Sequence, residues 1–162
     1  MLVYEFISNG TLFEFLHGNE RGSTIPLDLR LKIATQSAEA LAYIHSSTSR
    51  TILHGDVKSL SILLDDEYSA KVADFGASAL KSLDKDDFIM FIQGTFGYLH
   101  LETFVSHHLT EKSDVYSFGV VLVELMTRKK AIYNDDFNGE KIVISYFCIN
   151  VPPEQAQQCV GL

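Results

Sequence analysis

The stretch from His54 to Gly76 constrains this chain more than any other part of it. It begins with His54-Gly55-Asp56-Val57-Lys58, in which a carboxylate and an ammonium stand two residues apart in a glycine-containing loop. Next come Ile62-Leu63-Leu64, the acidic Asp65-Asp66-Glu67 and then Lys71-Val72-Ala73, which predicts a hairpin of two short β-type runs around a turn. Asp74-Phe75-Gly76 closes the stretch. A hairpin is a rigid connector, so it would hold Asp56 and Asp74 on opposite sides of one cleft.

The segments around it read mainly as helix. Ser8-Asn9-Gly10 is a turn signal, and Thr11 is a plausible N-cap for a short helix to His17. Thr24 can cap, and Pro26 can open, a long helix through Ser46, with Ile33, Ser37, Ala40, Leu41 and Ile44 on one face. Ser113 to Thr127 returns to helical period, and Val115, Phe118, Leu122, Leu125 and Met126 are expected to form its buried stripe. The apolar opening, Leu2 to Phe6, reads as a strand needing neighbours on both sides, so the chain is expected to begin inside a domain. From residue 134 to 162 the pattern breaks down, and an irregular, divergent tail is expected.

With 162 residues and 46% hydrophobic content the chain can bury one substantial core. A formal net charge of -8 argues against nucleic acid or an anionic membrane surface as partner and fits a basic partner better. Asp84, Asp86 and Asp87 read as a solvated acidic face. Cys148 and Cys159 match neither a zinc-ligand spacing nor a disulfide framework, in keeping with a reducing compartment. The longest apolar run, Phe118 to Met126 with Glu124 inside it, falls far short of the roughly 20 residues that cross a bilayer. The amino-terminal residues lack the features of a signal peptide.

Four motifs in order resemble those of eukaryotic protein kinases. His54 to Leu64 resembles the catalytic loop, and Asp74-Phe75-Gly76 the magnesium-binding motif. Gly94-Thr95-Phe96-Gly97-Tyr98, with Glu102 shortly after, looks like the peptide-positioning loop. Lys112 to Val120 resembles the central helix, whose Asp114 would brace the catalytic-loop backbone. Leu2-Val3-Tyr4-Glu5-Phe6 with Asn9-Gly10-Thr11-Leu12, the His-Gly-Asp variant, and Gly94 to Leu99 point to plant receptor-like kinases of the wall-associated type, over residues 1 to 133.

The resemblance implies an α+β protein-kinase-like fold: a mainly helical large lobe with a small β-hairpin, the small lobe missing. It implies ATP-dependent phosphoryl transfer to serine or threonine hydroxyls of a protein substrate, with ATP and Mg2+ as cofactors. Asp56 would orient the hydroxyl, Lys58 would meet the γ-phosphate, and Thr95 would contact both. Asp74 and Ser61 would hold metal, Ser61 standing where an asparagine is usual. Tyr4, Glu5, Phe6, Ile7 and Leu63 would frame the adenine. His54 is expected to pack beneath Phe75 and not to act as a base.

Several departures oppose full activity. The glycine-rich loop and the lysine that grips the α and β phosphates do not occur in these residues, and Gly55 replaces an arginine that often pairs with an activation-loop phosphate. Lys81 to Gln93 carries only Ser82 as a hydroxyl. The alternative expectation is therefore a catalytically impaired interaction module or truncated gene product, with other kinase chains as partners. The expected location is the cytosol for this chain alone, or the cytoplasmic side of the plasma membrane within a full receptor.

Overall fold

The computed structural model describes residues 5–18, 25–46, 49–80, 94–135 and 139–143. Tyr4, the capping Thr24, the acidic set at 84–87, the segment from Lys81 to Gln93 and both cysteines lie outside the described residues.

Helix α1, Leu12–His17, is too short to persist alone. Its start is fixed by a capping box: the Thr11 hydroxyl accepts the Glu14 N–H at 3.1 Å, and the Glu14 carboxylate accepts the Thr11 N–H at 2.9 Å. Those bonds, the Thr11 N–H foremost, hold the Glu14 carboxyl below its ordinary range. Leu12 and Leu16, one turn apart, are buried, and two such side chains contribute roughly 3–6 kcal/mol. Burial is thus what keeps this one-and-a-half-turn helix in place.

Helix α2, Leu27–Ser46, buries Ile33, Ser37 and Leu41, as its periodicity predicts. The buried Ser37 hydroxyl donates back to the Ile33 carbonyl at 2.8 Å and so carries no orphan donor. Pro26 stands just before the first turn, its carbonyl accepting the Arg30 N–H at 3.2 Å. From α2, Arg30 Nη1 donates to the Leu125 and Met126 carbonyls at 3.2 and 3.1 Å. A cation on the last carbonyls of another helix satisfies orphan acceptors and opposes its negative dipole end.

The described strands form three antiparallel pairs. Strand β1, Ile52–Leu53, pairs with β4, Ala79–Leu80; β2, Ile62–Leu64, pairs with β3, Ala70–Val72. The acidic turn works because Asp65 Oδ1 accepts the N–H groups of Glu67 and Ser69, at 3.0 and 2.7 Å, and frees Tyr68 to take a left-handed φ of 56°. The Ser69 bond is the main reason the Asp65 carboxyl lies below its usual range. The third pair, β5, Ile132–Asp135, with β6, Gly139–Ile142, corrects the expectation of an irregular tail from residue 134. That boundary falls inside a hairpin, and Val143 after it is fully buried. A weak local pattern became regular through cross-strand pairing and a core contact.

Helix α3, Leu101–Ser106, leads to α4, Glu111–Thr127, which starts at the Thr110 cap and ends on Arg128 at a left-handed φ of 56°. Its buried face differs from the expected stripe. Ser113, Asp114, Ser117, Val120, Val121 and Glu124 face inward with Leu125, whereas Val115 and Met126 are 62% and 57% exposed and Phe118 and Leu122 only half-buried. The expected opening strand is likewise corrected in its described part: Glu5, Phe6 and Ile7 are irregular, with Phe6 86% exposed. No neighbouring strand pairs with them among the described residues, and an unpaired apolar run gains nothing by extending. Among the described residues no helix is long and apolar enough to cross a membrane.

Candidate active site

The loop between β1 and β2 holds the Asp56–Lys58 pair. Lys58 Nζ donates to Asp56 Oδ2 and, at 3.0 Å, to Thr95 Oγ1. The Thr95 hydroxyl and backbone N–H both donate to Asp56 Oδ1, at 2.7 and 3.0 Å. Asp56 and Lys58 side chains are each 16% exposed, so this charge pair is mostly withdrawn from solvent. Three residues drawn from two distant segments thus close a ring around one carboxylate.

His54 aligns the loop with the Asp74 turn. It is fully buried, with its ring 4.8 Å from that of Phe75. Nδ1 accepts the Asp56 N–H at 3.3 Å, so the other nitrogen carries the proton and donates to the Ala73 carbonyl at 2.9 Å. One imidazole therefore touches the residues on both sides of Asp74 and the backbone of Asp56. Asp74 itself is exposed, at φ 64° and ψ 55°, a left-handed conformation that turns the chain sharply.

Beneath the loop, Asp114 is 1% exposed and accepts the N–H groups of His54 at 2.8 Å and Gly55 at 2.9 Å, with His45 Nε2 at 2.8 Å from the same carboxylate. Gly55 sits at φ 82°, where a Cβ would lie 2.7 Å from the Ala77 carbonyl oxygen. No side chain fits there, arginine included, unless the backbone shifts.

The remaining predicted residues divide. Leu63 is half-buried, on the strand face opposite the buried Ile62 and Leu64. Glu5, Phe6 and Ile7 are in place as irregular chain, without a described contact to the loop. Ser61 departs from the metal-ligand expectation: it is 1% exposed, donates to the Lys58 carbonyl at 2.8 Å and accepts the Lys58 N–H at 3.0 Å. Its short side chain closes on the backbone beside it and braces the loop.

Sequence reasoning missed a second buried group. Glu124 on α4 is fully buried; it accepts the Tyr98 hydroxyl at 2.7 Å and the Ala131 N–H at 3.3 Å, and lies 3.1 Å from His17 Nε2. Burial, and then the Glu124 carboxylate, push the Tyr98 hydroxyl well above its ordinary range. The signal was a lone acid inside an apolar helical run, which must find partners when buried. The network joins α1, α4 and the Thr95–Tyr98 loop, so the acid helps hold that loop in register.

A helical body whose hairpin presents Asp56 and Asp74, braced by a buried aspartate from its longest apolar helix, defines the large-lobe architecture of a protein kinase. The protein tyrosine and serine/threonine kinase family model matches residues 1–159, and the chain belongs to that family. Its relatives in Arabidopsis thaliana narrow this further. It is 51% identical to wall-associated receptor kinase 4 over 147 residues, covering 91% of this chain and 20% of that protein. It is 48% identical to wall-associated receptor kinase 1 over 161 residues, covering 99% of this chain and 22% of that protein. Putative wall-associated receptor kinase-like 16 is 49% identical over 149 residues, 92% of this chain and 34% of that protein. The chain thus spans between about a fifth and a third of the length of these relatives.

Proposed function

We propose that this chain carries the catalytic-loop half of an ATP-dependent serine/threonine protein kinase of receptor type, working on the cytoplasmic side of a plasma membrane. The closed set Asp56–Lys58–Thr95 carries the reading. Phosphoryl transfer asks the protein for positioning and charge stabilisation more than for covalent chemistry. In this reading Asp56 would orient an incoming hydroxyl and take its proton, and Lys58, in contact with its carboxylate, would supply a cation at the same point. Thr95 ties both to the loop on which a peptide would lie.

Magnesium needs few protein ligands when phosphates and water supply the rest, and the exposed Asp74 carboxylate fits that demand. Bound Mg2+-ATP would supply the phosphoryl group and neutralise its charge, with Asp74 as the metal residue and Leu63 and the 5–7 segment toward the purine. The buried Ser61 does not fit as a second ligand. That observation favours a second reading, a catalytically impaired module that binds protein partners through the large-lobe surface.

Labelled phosphate transfer from Mg2+-ATP to a protein substrate separates the two readings, measured beside Asp56→Asn and Asp74→Ala. The kinase reading expects transfer in the unaltered chain and a loss of about 10²-fold or more in each variant. Transfer equal in all three, or absent from all, favours the interaction module.

A further inference from the structure

We infer that Leu60 is a specificity-determining residue, selecting protein substrates that carry a large apolar side chain within about four residues of the hydroxyl presented to Asp56. The inference rests on the kinase reading and supplies its substrate class. Leu60 is 48% exposed, although it is the middle residue of the 3-10 turn Ser59–Ser61, whose other two members are buried. Both neighbours are tied down: the Ser59 hydroxyl lies 3.1 Å from the Tyr98 hydroxyl, and the Ser61 hydroxyl donates to the Lys58 carbonyl at 2.8 Å. A turn fixed at both ends gives the leucine between them a rigid base, so it offers apolar surface without the cost of ordering a loop on binding.

An exposed leucine is ordinary by itself, and its distance from the reacting groups is what singles this one out. Two Cα–Cα steps of about 3.8 Å separate it from Lys58. The hydroxyl oxygen of the adjoining Ser61 lies 3.4 Å from the Asp56 carbonyl oxygen, which keeps the Leu60 Cα within roughly 12 Å of that of Asp56. An extended peptide covers that span in about three or four residues.

The second loop of the site is apolar at its surface too. Thr95, bonded to Asp56 at 2.7 Å, is followed by Phe96, which is 72% exposed. The Lys58–Thr95 contact at 3.0 Å and the Ser59–Tyr98 contact at 3.1 Å hold the two loops together, and Leu60 and Phe96 each lie one or two residues from a contact that joins them. Ser59 and Ser61 are neutral and already bonded, so a charged substrate side chain laid over Leu60 would lose water without gaining a partner from them. An apolar side chain gains by covering the leucine. The net charge of -8 adds a general pull on basic peptides, which a comparison between neutral side chains removes.

Fluorescence anisotropy of labelled serine peptides with the 162-residue chain tests this without ATP or metal, so a lack of phosphoryl transfer and a lack of this preference are separate results. Each peptide carries one leucine or one asparagine at a position up to about four residues before or after the serine, the rest held constant. Leucine at one or more of these positions is expected to bind about tenfold tighter than asparagine. Leu60→Gln should abolish that preference, Leu60→Glu should move it to lysine at the same positions, and Leu60→Met should keep it, circular dichroism confirming the fold in each. No binding, equal binding of leucine and asparagine peptides at every position, or a leucine preference unchanged in Leu60→Gln would overturn the inference. Self-association relieved by Leu60→Glu in sedimentation, with peptide binding unaltered, would overturn it too, making Leu60 a contact between copies of the chain.

Discussion

Asp114 Oδ2 accepts the backbone N–H of His54 at 2.8 Å across sixty positions of sequence. Its other oxygen accepts the Gly55 N–H at 2.9 Å, so one buried carboxylate satisfies two consecutive donors of a loop that has no ladder partner there. Asp114→Ala leaves both donors unpaired, that of His54 buried and that of Gly55 partly buried. The expected cost is roughly 2–5 kcal/mol in urea unfolding; a loss below about 0.5 kcal/mol, within the usual range for surface changes, would show that the loop is held by other means.

Gly55 tests the same loop from the backbone side. At φ 82° with the Ala77 carbonyl 2.7 Å from a would-be Cβ, Gly55→Ala adds left-handed strain and a backbone collision. A destabilisation of at least about 1–2 kcal/mol follows. The midpoint of thermal unfolding should fall, and Gly55→Arg should fall at least as far.

Ser61→Ala distinguishes bracing from metal binding. The hydroxyl's bonds to the Lys58 carbonyl and N–H place it inside the loop, so its removal should cost about 1–2 kcal/mol of stability and leave Mg2+ affinity unchanged. Calorimetric titration with Mg2+ in the presence of nucleotide is the decisive measurement. Weaker metal binding at unchanged stability would restore Ser61 as a ligand.

Tyr98→Phe leaves Glu124 Oε2 without its hydroxyl donor and should cost about 1–3 kcal/mol near neutral pH. The pH dependence has a definite sign. The folded state raises this phenol above its ordinary 10.0, favouring the neutral form. The associated stability is complete below about pH 10 and is lost as pH rises through the higher folded value. The gap between the unaltered chain and Tyr98→Phe should therefore narrow above pH 10 in denaturant titrations at stepped pH; a gap that widens there would contradict the Tyr98–Glu124 account.

What could be read before folding was local. The β2–β3 hairpin, the Thr11 cap and the Ile33–Ser37–Leu41 face of α2 depend on residues within a few positions of one another, and each formed as its pattern requires. That Asp56, Lys58, Thr95 and Asp114 would come together was expected from motif resemblance, and the geometry joins those four groups through Asp56 and the loop backbone. The bonds of Ser61 to the Lys58 backbone were not legible, because a serine's reach is set by the backbone next to it, which a motif does not specify.

The amino-acid sequence by itself determined α1, α2 and α4, the β2–β3 hairpin and the order of reactive groups, since propensity and period act over one or two turns. Tertiary structure alone decided which face of α4 is inside. Apolar residues lie on several sides of that helix, and the buried side was selected by polar partners far away: His45 and His54 for Asp114, and His17, 107 positions distant, for Glu124. A buried carboxylate must be matched by donors, and only the folded chain brings those donors to it.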